Sequence, residues 1–198
     1  HNDFFTYNSG DWTITTTEAG TGSASEAVTS QAGGALLLTN AAGDNDLDFL
    51  QLKGEGFKLS TSKKAYFSAR FKVSDVDQSD FVMGLGITDT TPLDTTDGVF
   101  FISADGDAGL DFLVEKDNSA TTTEDVATMA DDTFITVTWF IDPDASKVFY
   151  SVNNAAPVGV VNTNLPDDEE LTVSFGIQNG EAAAKTMTID YVVAAVER

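Results

Sequence analysis

The sequence predicts an all-β protein, a two-sheet antiparallel sandwich with almost no helix, and three observations carry that prediction. Apolar residues recur at every second position in run after run, the period of a half-buried strand. Pairs rich in Gly, Asn and Asp, such as Gly33-Gly34, Asp97-Gly98, Asp105-Gly106 and Asn179-Gly180, separate the runs at short intervals. Helical periodicity is nearly absent, and about a dozen short strands so spaced suit a sandwich or a barrel.

Each element follows from its local pattern. Ala65–Val73 is the clearest: Ala65, Phe67, Ala69, Phe71 and Val73 fall on one face and Tyr66, Ser68, Arg70 and Lys72 on the other. Residues 134–141 alternate Ile135, Val137, Trp139 and Ile141 against Phe134, Thr136, Thr138 and Phe140, a threonine face with aromatic ends that predicts partial cover. Residues 171–178 turn Leu171, Val173, Phe175 and Ile177 inward, and residues 186–192 do the same with Met187, Ile189 and Tyr191. Shorter strands are expected at Trp12–Thr17, 35–39, 49–52, 81–87, 99–103, 110–116, 125–129, Lys147–Val152 and Val158–Val161. The Asn153-Asn154 pair makes the last two a hairpin, so residues 134–161 read as a three-strand meander. Phe4-Phe-Thr-Tyr7 reads as a first strand closing the sandwich, and residues 15–34 as a strand with a surface loop. One helical turn at most is expected in residues 164–170, where Pro and acids suit a first turn. A single domain over residues 1–198 is the expectation.

Charge excludes several functions. With 10 Lys+Arg against 32 Asp+Glu the formal charge is −22, and only Arg70 and Arg198 are arginines. Nucleic acid is not an expected partner, since no basic patch could hold a phosphate backbone. Nor is a membrane, since the longest apolar run, 191–196, is far short of the ~20 residues a spanning helix needs. The acids are mostly Asp, 23 of 32, and they gather in turns, which reads as a solvated, soluble surface.

The search for chemistry returns few groups. His1 is the single His, and there is no Cys, so thiolate and multi-histidine metal sites, Ser-His-Asp triads and Cys-His dyads are not expected. An N-terminal His on a sandwich would suit a copper-chelating brace, but that brace needs a second His; His1 therefore reads as a boundary residue. Carboxylate pairs remain, because sandwich glycosidases work with two Asp/Glu. The strand spacing Glu-x-Asp-x-Glu is missing, and only Asp111 and Glu115 share a strand face, four residues apart. The expectation is no catalytic residue, no cofactor-binding or metal residue, and no enzyme. Calcium is the one candidate cofactor, on two acid-rich stretches, Asp44-Asn-Asp-Leu-Asp48 and Asp105-Gly-Asp-Ala-Gly-Leu-Asp111. The second does not fit an EF-hand loop, because Lys116 stands where a bidentate Glu is required. Exposed aromatics for stacking on sugars would come from Trp12, Tyr7, Tyr66 and Tyr150.

Two resemblances follow from these stretches. Gly33-Gly34 before an apolar strand, Phe67-Ser-Ala-Arg-Phe-Lys-Val73, Phe81-Val-Met-Gly-Leu-Gly-Ile87, Asp97-Gly-Val-Phe-Phe101 and Phe149-Tyr-Ser-Val-Asn-Asn154 together resemble the concanavalin A-like/laminin-G jelly rolls, with Asn153-Asn154 where Asp-Gly is usual. Asp3-Phe-Phe-Thr-Tyr7, residues 69–75, 78–94, 97–101, 111–116 and above all 165–191 resemble tailed-bacteriophage virion structural proteins. That resemblance implies a capsid decoration or cement protein on the outer surface of the head, bound to the major capsid protein and self-associating as a homotrimer. The alternative is a glycan-binding, lectin-like module of a virion fibre or secreted protein.

Overall fold

Alternation that buries one side of most strands leaves two sheets one solution, to stack those sides together. The computed structural model describes residues 1–198 as two seven-stranded antiparallel sheets joined in that way. The first runs, edge to edge, β12 (Val158–Val161), β11 (Lys147–Val152), β10 (Ile135–Asp142), β5 (Ala65–Val73), β14 (Thr186–Val196), β3 (Leu36–Thr39) and β2 (Ser25–Val28). The second runs β1 (Trp12–Thr17), β4 (Leu47–Leu52), β13 (Thr172–Asn179), β6 (Ser79–Gly86), β7 (Gly98–Ser103), β8 (Gly109–Lys116) and β9 (Ser119–Thr128). The expected all-β two-sheet sandwich is what the chain forms, and its only helices are 3-10 turns at Ser9–Asp11 and Pro92–Asp94.

Between the sheets lies one apolar cluster, knitted by aromatic contacts. Phe175 of β13 meets Phe4 and Trp12 edge-on, and Phe67 stacks on Trp139 within the first sheet. Phe71 against Phe81 and Phe112 against Tyr150 bridge one sheet to the other. Asn153 and Asn154 both carry positive φ, 50° and 60°, and so make the β11–β12 turn; Asn tolerates that region better than other non-glycine residues.

Three expectations fail for local reasons. Tyr191 faces outward, because a bulge between Ile189 and Tyr191 shifts the register and gives the inward place to Val192. Asp190, the extra residue, uses the bulge to reach Arg70. Residues 4–7 form no strand: Phe4 holds φ 44° and drops its ring into the core, and only Asn2 bridges to Val192. Residues 164–170 stay within the limit of one helical turn and form none: Leu165 is buried and the chain goes on to bridge Leu171 to Phe57. The strands β2 and most of β9 carry no apolar alternation, because both are sheet edges and largely exposed.

One cationic side chain is interior. Lys185, before β14, is 5% exposed in its side chain and holds Asp75 at 2.7 Å and Glu181 at 2.6 Å. Replacing it with Met leaves two facing carboxylates without a cation. We expect Lys185→Met to cost about 1–3 kcal/mol in urea unfolding, less than a fully buried pair because both acids are partly wet.

Candidate functional site

The outer face of the second sheet is unusual for a solvent face, because its middle is apolar. Along its rungs Phe49 stands beside Gly176 and Val82, and Phe100 beside Gly84 and Leu113. The Phe100 ring lies over Gly84, Gly86 and Gly98, where any Cβ would meet it; the Phe49 ring lies over Gly176 in the same manner. Glycine at these four positions thus lets two rings lie down on the sheet. The Pro92–Asp94 turn crosses this floor, and Leu93 packs on it beside Phe49, Val82 and Phe100.

On one side of Leu93 is a trough of about 360 Å³, with Phe100 and Leu93 in its floor and Asp80, Asp111, Glu115 and Gln178 among its walls. Strand pairing explains the convergence: Gln178 is directly opposite Asp80, Asp111 is opposite Ile102, and Glu115 is opposite Gly98. On the other side a second hollow of about 310 Å³ is lined by Thr17, Leu47, Asp94 and Gln178. The Thr95 hydroxyl, at the trough, is buried without any partner in the protein. Burial raises the pKa of Glu115, and the charges of Asp97 and Asp94 add to that. Burial raises Asp80 as well, against the N–H of Asp105 that its Oδ1 accepts at 2.8 Å. Asp111 accepts the N–H of Asp125 at 2.8 Å across the β8–β9 irregularity. The arrangement offers hydrogen-bond acceptors, protonatable carboxyls and an apolar bed in one place, the usual make-up of a small-ligand site.

Asp111 and Glu115, singled out by their shared strand face, therefore do line one hollow. Sequence reasoning missed Asp80 and Gln178, which come from other strands, and the glycine cradle of Phe100. The Gly-x-Gly of β6 and the Gly-x-Phe of β7 were the signals available for the cradle.

The remaining candidates scatter. Of the four stacking candidates, Trp12 and Tyr150 are core residues and Tyr7 is half-buried with its hydroxyl on Glu26 at 3.4 Å. Tyr66, 41% exposed, stays on the surface of the first sheet, on the rung that carries Phe140 and Phe149, whose rings stack 5.1 Å apart. The partial cover expected for the threonine face of β10 is there, with Phe134 beneath the Arg70 guanidinium at 4.1 Å. In the stretch 105–111, Asp107 accepts the N–H of Gly109 and Asp105 donates its own N–H to Asp80. No three His, Cys, Asp or Glu side chains gather to hold a metal ion. His1 meets Asp3 at 3.9 Å and borders a separate hollow with Trp12 and Phe57.

The fold places the chain among concanavalin A-like jelly rolls. No family model and no curated protein sequence matches it. Among solved structures, a Bacteroides ovatus family GH16 protein of a mixed-linkage glucan locus, in complex with its G4G4G3G product, is 13% identical with a TM-score of 0.69, over 98% of each chain. The potassium-bound carbohydrate recognition domain of Emp46p is 12% identical with a TM-score of 0.63, over 98% of this chain and 94% of that one. The alginate lyase AlgAT5 of polysaccharide lyase family 7 is 13% identical with a TM-score of 0.59, over 96% of each chain. These neighbours bind or act on glycans, and they correct the expectation of no enzyme. A chain of this architecture belongs to a fold that enzymes use, alginate lyases and a glucuronan lyase included. Absence of the glucanase spacing and of a second His was too narrow a ground, since a sheet face collects its side chains from many strands.

Proposed function

We propose that the protein recognises a neutral polysaccharide in the trough on the outer face of its second sheet. One observation carries the reading: an apolar bed of half-buried Leu93, Ile102 and Leu113, backed by the buried Phe100 ring and walled by Asp80, Asp111, Glu115 and Gln178. A pyranose ring has C–H faces that suit such a bed and vicinal hydroxyls that donate to carboxylates and amides. The walls are acidic, in a chain of formal charge −22, so they repel polyuronates and favour uncharged glycans. The glycan-binding and glycan-acting neighbours support the ligand class, and the resemblance of residues 165–191 to phage virion proteins supports a module carried on a virion fibre.

Affinity electrophoresis through gels containing mixed-linkage glucan, laminarin or alginate tests the reading. Retardation by a neutral glucan, with none by alginate, is the expected pattern. Gln178→Ala and Asp111→Asn should each weaken that retardation about 10-fold, the worth of one or two hydrogen bonds. Preference for alginate, or no retardation by any neutral glycan tested, refutes it.

A second reading follows from the same resemblance: a homotrimer decorating the capsid exterior on the major capsid protein. Favouring it is the short edge strand β12, whose Val158 and Val161 are 49% and 56% exposed and stand unpaired on one side. Adding the purified protein to undecorated heads should then yield stoichiometric binding and heat resistance, and heads that stay bare rule it out.

A further inference from the structure

Two acids at the start of β4, Asp46 and Asp48, both lie fully inside the protein, and it treats them in opposite ways. Asp46 accepts the backbone N–H groups of Ala19 at 2.5 Å, Gly20 at 2.9 Å and Gly43 at 2.8 Å, which hold its carboxyl below the usual range. Asn40 and Asn179 tie the same corner together: the Asn40 amide donates to the Asp46 carbonyl at 3.0 Å and to the Asn179 side chain at 2.9 Å. Asp46 is thus a structural staple. Asp48 is not, because neither of its oxygens has a donor anywhere in the protein.

What Asp48 meets is another carboxylate, Glu26 of β2, the edge strand of the other sheet. The Tyr7 hydroxyl donates to Glu26 Oε2 at 3.4 Å, and the charge of Glu18 bears on Asp48 from the rim. None of these acids is paired with a Lys, Arg or His. A buried carboxylate with no donor is unstable unless something neutralises it. A proton shared with Glu26 would satisfy one oxygen and leave the other Asp48 oxygen bare.

We propose that Asp48 and Glu26, with the Tyr7 hydroxyl beside them, form a binding site for a hard divalent cation of the Ca2+ class. The two carboxylates, each able to bind through both oxygens, supply the charge, and water reaching in past Glu26 supplies the rest of the roughly six to eight oxygens that Ca2+ takes. Calcium suits the place better than magnesium because it accepts irregular oxygen geometry. Half-buried Glu26 and exposed Glu18 leave a path from solvent, and the acidic surface concentrates cations at its mouth. The ion would lock β2, the edge strand of one sheet, to β4 of the other.

Thermal unfolding of chelator-stripped protein at pH 8, with CaCl2, MgCl2 or KCl added, is the test, with titration calorimetry counting the ions bound. The wild type is expected to gain Tm steadily with the logarithm of the calcium concentration, and to gain less from magnesium or potassium. Asp48→Asn should fold with a Tm in chelator at or above that of the wild type and show no calcium response; Glu26→Gln should blunt the response and serves if Asp48→Asn fails to fold. The proposal falls if calcium leaves the wild-type Tm unchanged, and a rise on acidification then marks a shared proton instead. It falls equally if both variants keep the full calcium response, which would put the ion elsewhere on the acidic surface.

Discussion

Phe100→Ala is expected to lower the unfolding free energy by about 3–5 kcal/mol, read as a fall in the guanidinium midpoint at unchanged slope. Phe100 is 1% exposed though it lies on an outer sheet face, and its contacts are with three glycines beneath it and the Leu93 turn above. Nothing nearby can refill that volume, because the glycines have no side chains to shift. The Leu93 turn would lose its seat as well, so glucan retardation should disappear along with the stability. Gly98→Ala approaches the same contact from below: the added methyl meets the ring, so a cost of about 1–3 kcal/mol is expected. If Phe100→Ala stays within 1 kcal/mol of the wild type, the ring is not the keystone of this face.

In chelator, the protein is expected to lose stability steadily as pH rises from about 4 to about 8, and to level off above that. Asp48 is the reason: burial, and next the negative charge of Glu26, push its pKa up to about 8 from an ordinary 3.8. The folded state therefore keeps a proton that the unfolded chain releases near pH 4. Its stabilising effect is complete below the unfolded pKa and is lost as pH climbs through the folded one. The slope attributable to one such group is at most about 1.4 kcal/mol per pH unit. Asp46 acts in the other direction: its lowered pKa gives stability that holds above pH 4 and is lost under stronger acid. Urea midpoints measured at intervals from pH 4 to pH 9, for wild type and Asp48→Asn, decide the matter. The variant should be flat where the wild type falls; parallel curves would assign the slope to the general acidity of the chain.

Legibility of the fold from the sequence followed burial strand by strand. Where a strand has one wetter and one dry face, as β5 and β10 do, the alternation named every inward residue correctly, and it did so for β13 too, where Thr, Ser and Gly mark the outer face although that face is covered. It missed β2, and most of β9, because edge strands bury little and their threonines and acids carry no periodic signal. It misplaced Tyr191 because a bulge is a property of two paired strands: Asp190 is extruded to reach Arg70 on β5, which lies 120 residues away in sequence. The candidate site was half legible. Asp111 and Glu115 could be read from one strand, while Asp80 and Gln178 join them only through the order β13-β6-β7-β8.

By itself the sequence determined the all-β class, the two inner faces and the acidic exterior, all set by residue type and period along a single segment. Tertiary structure alone decided which acids keep company. It put Asp46 among three N–H donors and Asp48, two residues on, against another carboxylate. Their difference is invisible in the run Asp44-Asn-Asp-Leu-Asp48, because the pKa and role of a buried carboxylate depend on groups brought to it by distant strands.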